Sequence, residues 1–496
     1  MNVNQAHPRI QNSDATTDVT GGASNRRRWL VLAVIGLAQL MVVLDATIVN
    51  IALPAAQRAL GFSITDREWT VTAYALAFGG LLLVGGRLSD ILGRRRTFIV
   101  GLAGFAIASA VGGAAPDFGT LVAARAVQGA FAALLAPSAL TLLTTTFTDP
   151  GERRTALSVY TAIAGAGGAV GLLLGGVLTE YVSWRWCLYV NVAFAVTALI
   201  GALWLISGQR RDRTARMDIP GSILAVAGLA GIVYGLSTAS SAGWASPVTL
   251  APILVGAALI VAFLLVERRV ATPLVPLSIL ADRTRGAAYL GGILAGLSAS
   301  GMFLLMTYYL QGTLGYSPLL TGFAFLPFIA GVVVGAGVVS RIALGRFGPR
   351  IVVLTGLFVA AVGAVGLARL GVDPRYGFDV APALALLGLG LSAALTTGFA
   401  LGPAGAAPSH AGVASALVNS SNQVGGSLGA ALLNTLSAAG ATGYLATHSV
   451  SATAGTIHGN AIAFTVLATI LGVGGVAIGL IHRPLPRLAP TPSPVH

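Results

Sequence analysis

Lysine is absent from this chain, and all 29 of its basic residues are arginine. That excludes a Walker A loop, whose lysine must reach the nucleotide phosphates, so the chain is not expected to hydrolyse ATP through a P-loop of its own. Cysteine is almost absent as well. The single Cys187 rules out an internal disulfide and any cysteine-based zinc site. The six histidines, at 7, 410, 448, 458, 482 and 496, have no ligand spacing, so no metal is expected. No catalytic dyad stands out in the loops, and no enzyme is expected. Charge is the third scarcity: 9% of residues are charged, against about 25% in soluble proteins. With 55% hydrophobic residues and a mean hydropathy of +0.84, the chain reads as an integral protein of the lipid bilayer. A net charge of +13 could suit nucleic acid, but the arginines sit in short clusters between apolar runs and form no stripe. Nucleic acid is therefore not expected as a partner.

What the chain has in abundance is apolar length. Runs able to cross about 30 Å of hydrocarbon as helices fall near 29–50, 70–89, 98–115, 119–143, 155–180, 186–206, 219–238, 248–266, 286–310, 320–340, 351–369, 379–401, 411–436 and 460–481, fourteen in all. Arginine-rich connections alternate with arginine-poor ones, and a cytoplasmic amino terminus puts most arginines on the cytoplasmic side. Both termini are then cytoplasmic. Residues 1–28 read as a disordered tail; the 26–28 arginine cluster mimics a signal peptide, but the run behind it is too long and lacks a small-residue cleavage site. The connections around 207–218 and 267–285 are charged and contain proline, which divides the chain into a six-helix bundle (29–206), an inserted pair with its linkers (207–285), a second six-helix bundle (286–481) and a tail (482–496). A faint echo links GGRLSDILGRRR (85–96) with SRIALGRFGPR (340–350). Repeated halves around a midplane site are the layout of a secondary transporter.

Within this apolar background a few residues stand out. Asp45 lies inside the first span, where an ionised acid costs roughly 2.5 to 3.5 kcal/mol and usually faces a partner or a wet cavity. Arg125 is the one arginine placed inside a span. Counting inward from the same face, Asp45 is about five residues deep and Arg125 about six, which sets them at similar depth. A carboxyl between an arginine and a dry cavity suits a proton carrier, although the same pair could be a fixed structural link and Asp45 alone could be an idle acid near the surface. Gly167, Gly171, Gly175 and Gly176 form a ridge on the fifth span that admits another backbone, for function or for packing alone. Asp90 ends the second span before Gly93 and three arginines; it can cap the positive end of another helix and close the cytoplasmic side, or be a solvated cap.

The chain resembles the major facilitator superfamily and, within it, the fourteen-span drug:proton antiporters of the EmrB/QacA type. LDATIVNIALP (44–54) is similar to that branch's first-span motif, GGRLSDILGRRR to the superfamily's loop motif, and RAVQGAFAALLAPSALTLL (125–143) to the fourth-span motif. WRWCLYVN (184–191), YYLQGTLGYSPLLTGFAFLP (308–327) and AGVASALVNSSNQVGGSLGAAL (411–432) are also similar to stretches of this branch. One departure is clear: the antiporter motif of the fifth span has proline after its glycine, whereas Gly171 is followed by Leu172. The resemblance implies a fourteen-helix, all-α major facilitator fold of six, two and six spans. It implies alternating access, with Asp45 and Arg125 coupling to protons and Gly86, Asp90, Gly93, Arg94 and Arg95 gating the cytoplasmic side against the chain near Ala411. Tyr308, Tyr309, Asn419, Asn422 and Gln423 are expected to line the substrate path. The function expected is export of small lipophilic molecules, such as antibiotics, in exchange for protons across a bacterial plasma membrane, by a monomer with no cofactor. An importer or uniporter of the same fold, or a non-transporting membrane sensor, are the alternatives.

Overall fold

Lipid offers no hydrogen bonds to a backbone, so apolar runs of this length must satisfy their own N–H and C=O groups as helices. The computed structural model describes residues 18–206, 218–270, 273–275, 277–338, 342–402, 411–449 and 451–481, and among these it contains no β-strand. In chain order the helices are α1 (Asp18–Leu60), α2 (Trp69–Leu92), α3 (Arg94–Gly113), α4 (Phe118–Thr146), α5 (Pro150–Tyr181), α6 (Trp186–Leu205), α7 (Ile219–Ala242) and α8 (Pro247–Glu267). They continue with α9 (Leu277–Leu280), α10 (Arg283–Tyr308), α11 (Pro318–Ala324), α12 (Leu326–Val338), α13 (Leu344–Ala368), α14 (Ala381–Leu401), α15 (Ala411–Thr447) and α16 (Ala452–Ile481). Local chemistry sets the starts. Asp117, Asp149 and Asp282 each accept a backbone N–H from the first turn of α4, α5 and α10. Those bonds hold the exposed Asp117 carboxyl below its ordinary value, chiefly through Thr120.

Twelve helices among the described residues are long and apolar enough to cross a membrane. The fourteen expected from the sequence include two that fall outside this set. α5 is a continuous helix of 32 residues, with Ala166–Tyr181 as its apolar stretch among the described residues. α15, 37 residues long, carries Asn419, Asn422, Gln423 and Asn434. Both are helical throughout their length, and in α15 the amides dilute the hydropathy.

Two boundaries differ from expectation. α1 starts at Asp18, so part of the segment read as a disordered tail is helical. Its inner turns are anchored: Arg28 pairs with Glu152 of α5 at 2.8 Å, and Arg27 donates to the Leu205 carbonyl at the end of α6. α1 also runs through Pro54, beyond the expected end of the first span near 50. Close to this proline, Gln311 donates to the Ile51 carbonyl at 3.0 Å. The linker 207–217, the tail 482–496 and the 403–410 stretch before Ala411 lie outside the described residues.

The packing repeats. α1 pairs with α5, α2 with α4, and α3 with α4 and α6; the later helices pair in parallel fashion, α10 with α15, α12 with α14, and α13 with α14 and α16. The turns repeat too. Gly93 between α2 and α3 has φ 92°, and Gly348, at a kink in the first turns of α13, has φ 77°. Only glycine takes that backbone without strain, so the faint sequence echo marks a shared turn. The two bundles meet along two seams, α2 against α15 and α5 against α11. α7 and α8 pack on each other, and α7 also lies against α2 and α15.

Candidate functional site

Asp45 is fully buried in α1, and the structure gathers four helices around it. Arg125 of α4, 2% exposed, donates from Nη1 to Asp45 Oδ2 at 2.6 Å. The other carboxylate oxygen, Oδ1, accepts from Gln128 Nε2 at 3.0 Å and from Asn191 Nδ2 of α6 at 2.7 Å. The arginine is itself held. Its Nη1 also donates to Gln128 Oε1 at 2.8 Å, its Nε donates to the Thr70 carbonyl at 3.1 Å, and its guanidinium lies 4.4 Å from the centre of the Tyr74 ring of α2. Ser109 of α3 accepts from Gln128 at 2.7 Å and closes the network. An ionised carboxylate only accepts hydrogen bonds, and three N–H donors converge here on its two oxygens. The cluster is thus built for a charged Asp45, and a proton on that carboxyl would cancel its attraction for Arg125.

The glycine ridge of α5 sets how close α1 comes. Gly167 faces Leu40 and Val43, Gly171 faces Thr47 and the Leu44 carbonyl, and Gly175 faces Ile48, all on the helix that carries Asp45. Gly176 points the other way, where a Cβ would lie 2.7 Å from Leu319 Cα of α11. Leu172, in the place of the motif proline, is buried, and its carbonyl abuts Gly322 of α11. α5 therefore packs by backbone on both sides.

The residues expected at the gate occupy the end of the bundle opposite the α1–α2 loop. Gly93 caps α2, its N–H donating to the Ser89 carbonyl, while Gly86 lies beside Pro137 of α4. Asp90 is exposed and Arg94 partly buried. Arg95 donates to the Leu203 carbonyl of α6 at 2.9 Å and so stays within its own half. The expected lining residues separate. Tyr308 stacks under Arg67, whose guanidinium is 3.9 Å from the ring centre. Tyr309 is no lining residue in this structure: its ring belongs to the core of the second bundle, and its hydroxyl donates to the Gly371 carbonyl. Asn422 donates to the Gly292 carbonyl of α10 at 3.3 Å, Gln423 sits at the α2–α15 seam against Gly79, and Asn419 is half-buried. Sequence reasoning missed Gln128, Asn191, Ser109 and Tyr74. The signal was present for two of them: Gln128 is one turn beyond Arg125, and Asn191 is a lone amide in the apolar α6.

The comparisons with known proteins agree with this architecture. The Major Facilitator Superfamily profile matches residues 35–430. A puromycin resistance protein of Streptomyces alboniger is 50% identical over 450 residues, covering 90% of this chain and 89% of that protein. A cephamycin export protein of Amycolatopsis lactamdurans is 37% identical over 492 residues, covering 96% of each. Among solved structures, an autoinhibited peptide transporter of the POT family superposes with a TM-score of 0.68 at 16% identity, covering 94% of this chain and 99% of that one, which speaks for the fold alone. With a family profile spanning most of its length and helices packed as two like bundles, the chain belongs to the major facilitator superfamily and is a membrane transporter, not an enzyme.

Proposed function

We propose that this transporter exports lipophilic antibiotics or related natural products from a bacterial cell, driven by protons moving inward across the plasma membrane. The observation that carries the proposal is the Asp45–Arg125 pair, fully buried and met by two amide donors, in a chain similar to proteins named for puromycin resistance and cephamycin export. Each proton moving inward supplies about 2.3 kcal/mol per 100 mV, so no nucleotide and no cofactor is required. Asp45 carries the proton. In its charged form it holds Arg125, Gln128 and Asn191 together. Protonated, it releases Arg125 to its other partners, the Thr70 carbonyl and the Tyr74 face, and loosens α1 from α4 and α6. α1 also forms part of the seam region through α5, so a change at Asp45 reaches the contact between the bundles.

On this reading all fourteen long helical segments cross the membrane, α11 and α12 together making one crossing, with both termini cytoplasmic and the protein a monomer. Asp90 with Gly86, Gly93, Arg94 and Arg95 forms the cytoplasmic gate. Tyr308, Asn419 and Gln423 line the path between the halves. The test uses inverted vesicles acidified inside by respiration. Adding puromycin, other lipophilic antibiotics or dyes should dissipate the pH gradient with the parent protein and not with Asp45→Asn. A folded, inserted parent that moves no protons with any compound would shift the reading to a uniporter or importer.

A further inference from the structure

The loop between α1 and α2 holds two buried charged side chains that the Asp45 cluster does not use. Arg67 is 5% exposed and Glu68 fully buried, although both lie outside the helices. They sit where the two bundles and the inserted pair converge. Arg67 Nε donates to Asn434 Oδ1 of α15 at 2.8 Å, and its guanidinium covers the Tyr308 ring at the end of α10. Asn434 Nδ2 donates in turn to Glu68 Oε2 and, at 3.2 Å, to the Ile64 carbonyl. Ser237 of α7 faces the same carboxyl. Three distant parts of the chain are fastened at one point.

The polar atoms are shared as they would be around a neutral acid. Arg67 directs its charge at Tyr308 and Asn434, and among the described residues no basic group lies within ion-pair distance of Glu68. Oε1 is buried without a hydrogen-bond partner. A charged carboxylate bare on one oxygen is costly in such a place. A carboxylic acid fits it: Oε2 accepts from Asn434, and a hydroxyl at Oε1 needs only an acceptor, which Ser237 can supply. The other charged or titratable groups around the point are Asp66 in the same loop, Arg58 at the end of α1 and Tyr308 on α10. Burial, helped by Asp66, outweighs the opposing backbone N–H, Ser237 hydroxyl and Arg67 charge and pushes Glu68 up to about 8, and burial also holds Arg67 below the usual arginine value.

We infer that Glu68 is a second proton-binding site, separate from Asp45, and the acid of a latch that closes the α1–α2 loop end of the molecule. The inference rests on the exporter reading for its role in transport, since that reading turns this end outward. A proton taken from the outer solvent neutralises Glu68 and lets it bury between α7 and α15. Loss of that proton leaves a bare charge in the seam and drives the loop from α15. Because the carboxyl is raised in the closed form, its support for closure is complete below the ordinary value of 4.5 and is lost as the pH rises through about 8.

The test places spin labels on Ile64→Cys, at an exposed side chain of the loop, and on Gly443→Cys of α15, with Cys187→Ser, in the full chain in lipid nanodiscs. Pulsed electron resonance then reads the separation across the latch as the pH is raised. In the parent the separated population should grow with a midpoint near 8. Glu68→Gln, a close mimic of the protonated acid, should stay closed at every pH. Asp66→Asn, which removes a nearby exposed negative charge, should move the midpoint down and shows that the titration is local even if Glu68→Gln fails to fold. A Glu68→Gln curve that follows the parent, or a parent that does not respond to pH, overturns the assignment. Failure of the exporter reading has a separate sign: vesicles in which no antibiotic moves protons although the latch titrates at Glu68.

Discussion

Arg125 and Asp45 are the residues whose removal should be felt most. Breaking a buried pair from one side strands a charge, which costs about 3 to 5 kcal/mol, whereas replacing both partners with apolar side chains is often near neutral. Arg125→Met should therefore lower the melting temperature in detergent markedly, and adding Asp45→Leu should recover part of the loss, because Gln128 and Asn191 then lack their acceptor. Neither variant should exchange protons for drug. If the single variant melts with the parent, the pair is not the strong link its geometry describes. The pairing itself was legible before any coordinates, because two ionisable residues at like depth in hydrocarbon have few other partners. The amides were harder to see. Gln128 and Asn191 are uncharged, and no count of depth along one helix tells which face a side chain takes. Tyr309 went astray for that reason: it neighbours Tyr308 in sequence but points the opposite way, into the core of its bundle.

The helices are joined by glycine more than by large side chains, and this gives an element-level contrast. A side chain at Gly425 of α15 would run into the Ile293 carbonyl of α10, while at Gly472 of α16 it would meet nothing. Gly425→Ala should cost about 1 to 3 kcal/mol through overpacking. Gly472→Ala should be neutral or stabilise by up to about 1 kcal/mol, since alanine is the better helix former. Thermal unfolding of the two purified variants would compare them, and equal melting temperatures would contradict the close backbone packing of α10 and α15. The positions of most helices could be read from apolar length alone. Their ends could not: α1 continues through Pro54 past the expected end near 50, and α15 runs on to Thr447 past the expected end near 436. α15 carries four amides, Asn419, Asn422, Gln423 and Asn434, along an otherwise apolar helix, and they make it look less like a span.

At the scale of the whole molecule, the proposed fourteen crossings put alternate connections on opposite sides. The buried Cys187 can be replaced by serine and single cysteines introduced at exposed positions, at Thr148 before α5, Val182 after it and His448 after α15. A membrane-impermeant maleimide should label Val182→Cys and His448→Cys in intact cells and Thr148→Cys only after permeabilisation. Labelling of Thr148→Cys and Val182→Cys from one side would mean that α5 does not cross. The division into like halves was visible in sequence only as one faint echo, because packing repeats through backbone contacts and turn geometry, which many residues can supply. Where the inserted pair docks could not be foreseen, since a lipid-facing helix and one covering a neighbour have similar composition. Its position has a consequence for the substrate. The bundles meet along two seams, and α7 lies over the one between α2 and α15. On the exporter reading, the α5–α11 seam is the flank of the dividing line that α7 leaves to the bilayer, and the close packing of Gly176 against Pro318 and Leu319 must part there before a compound dissolved in the membrane can enter.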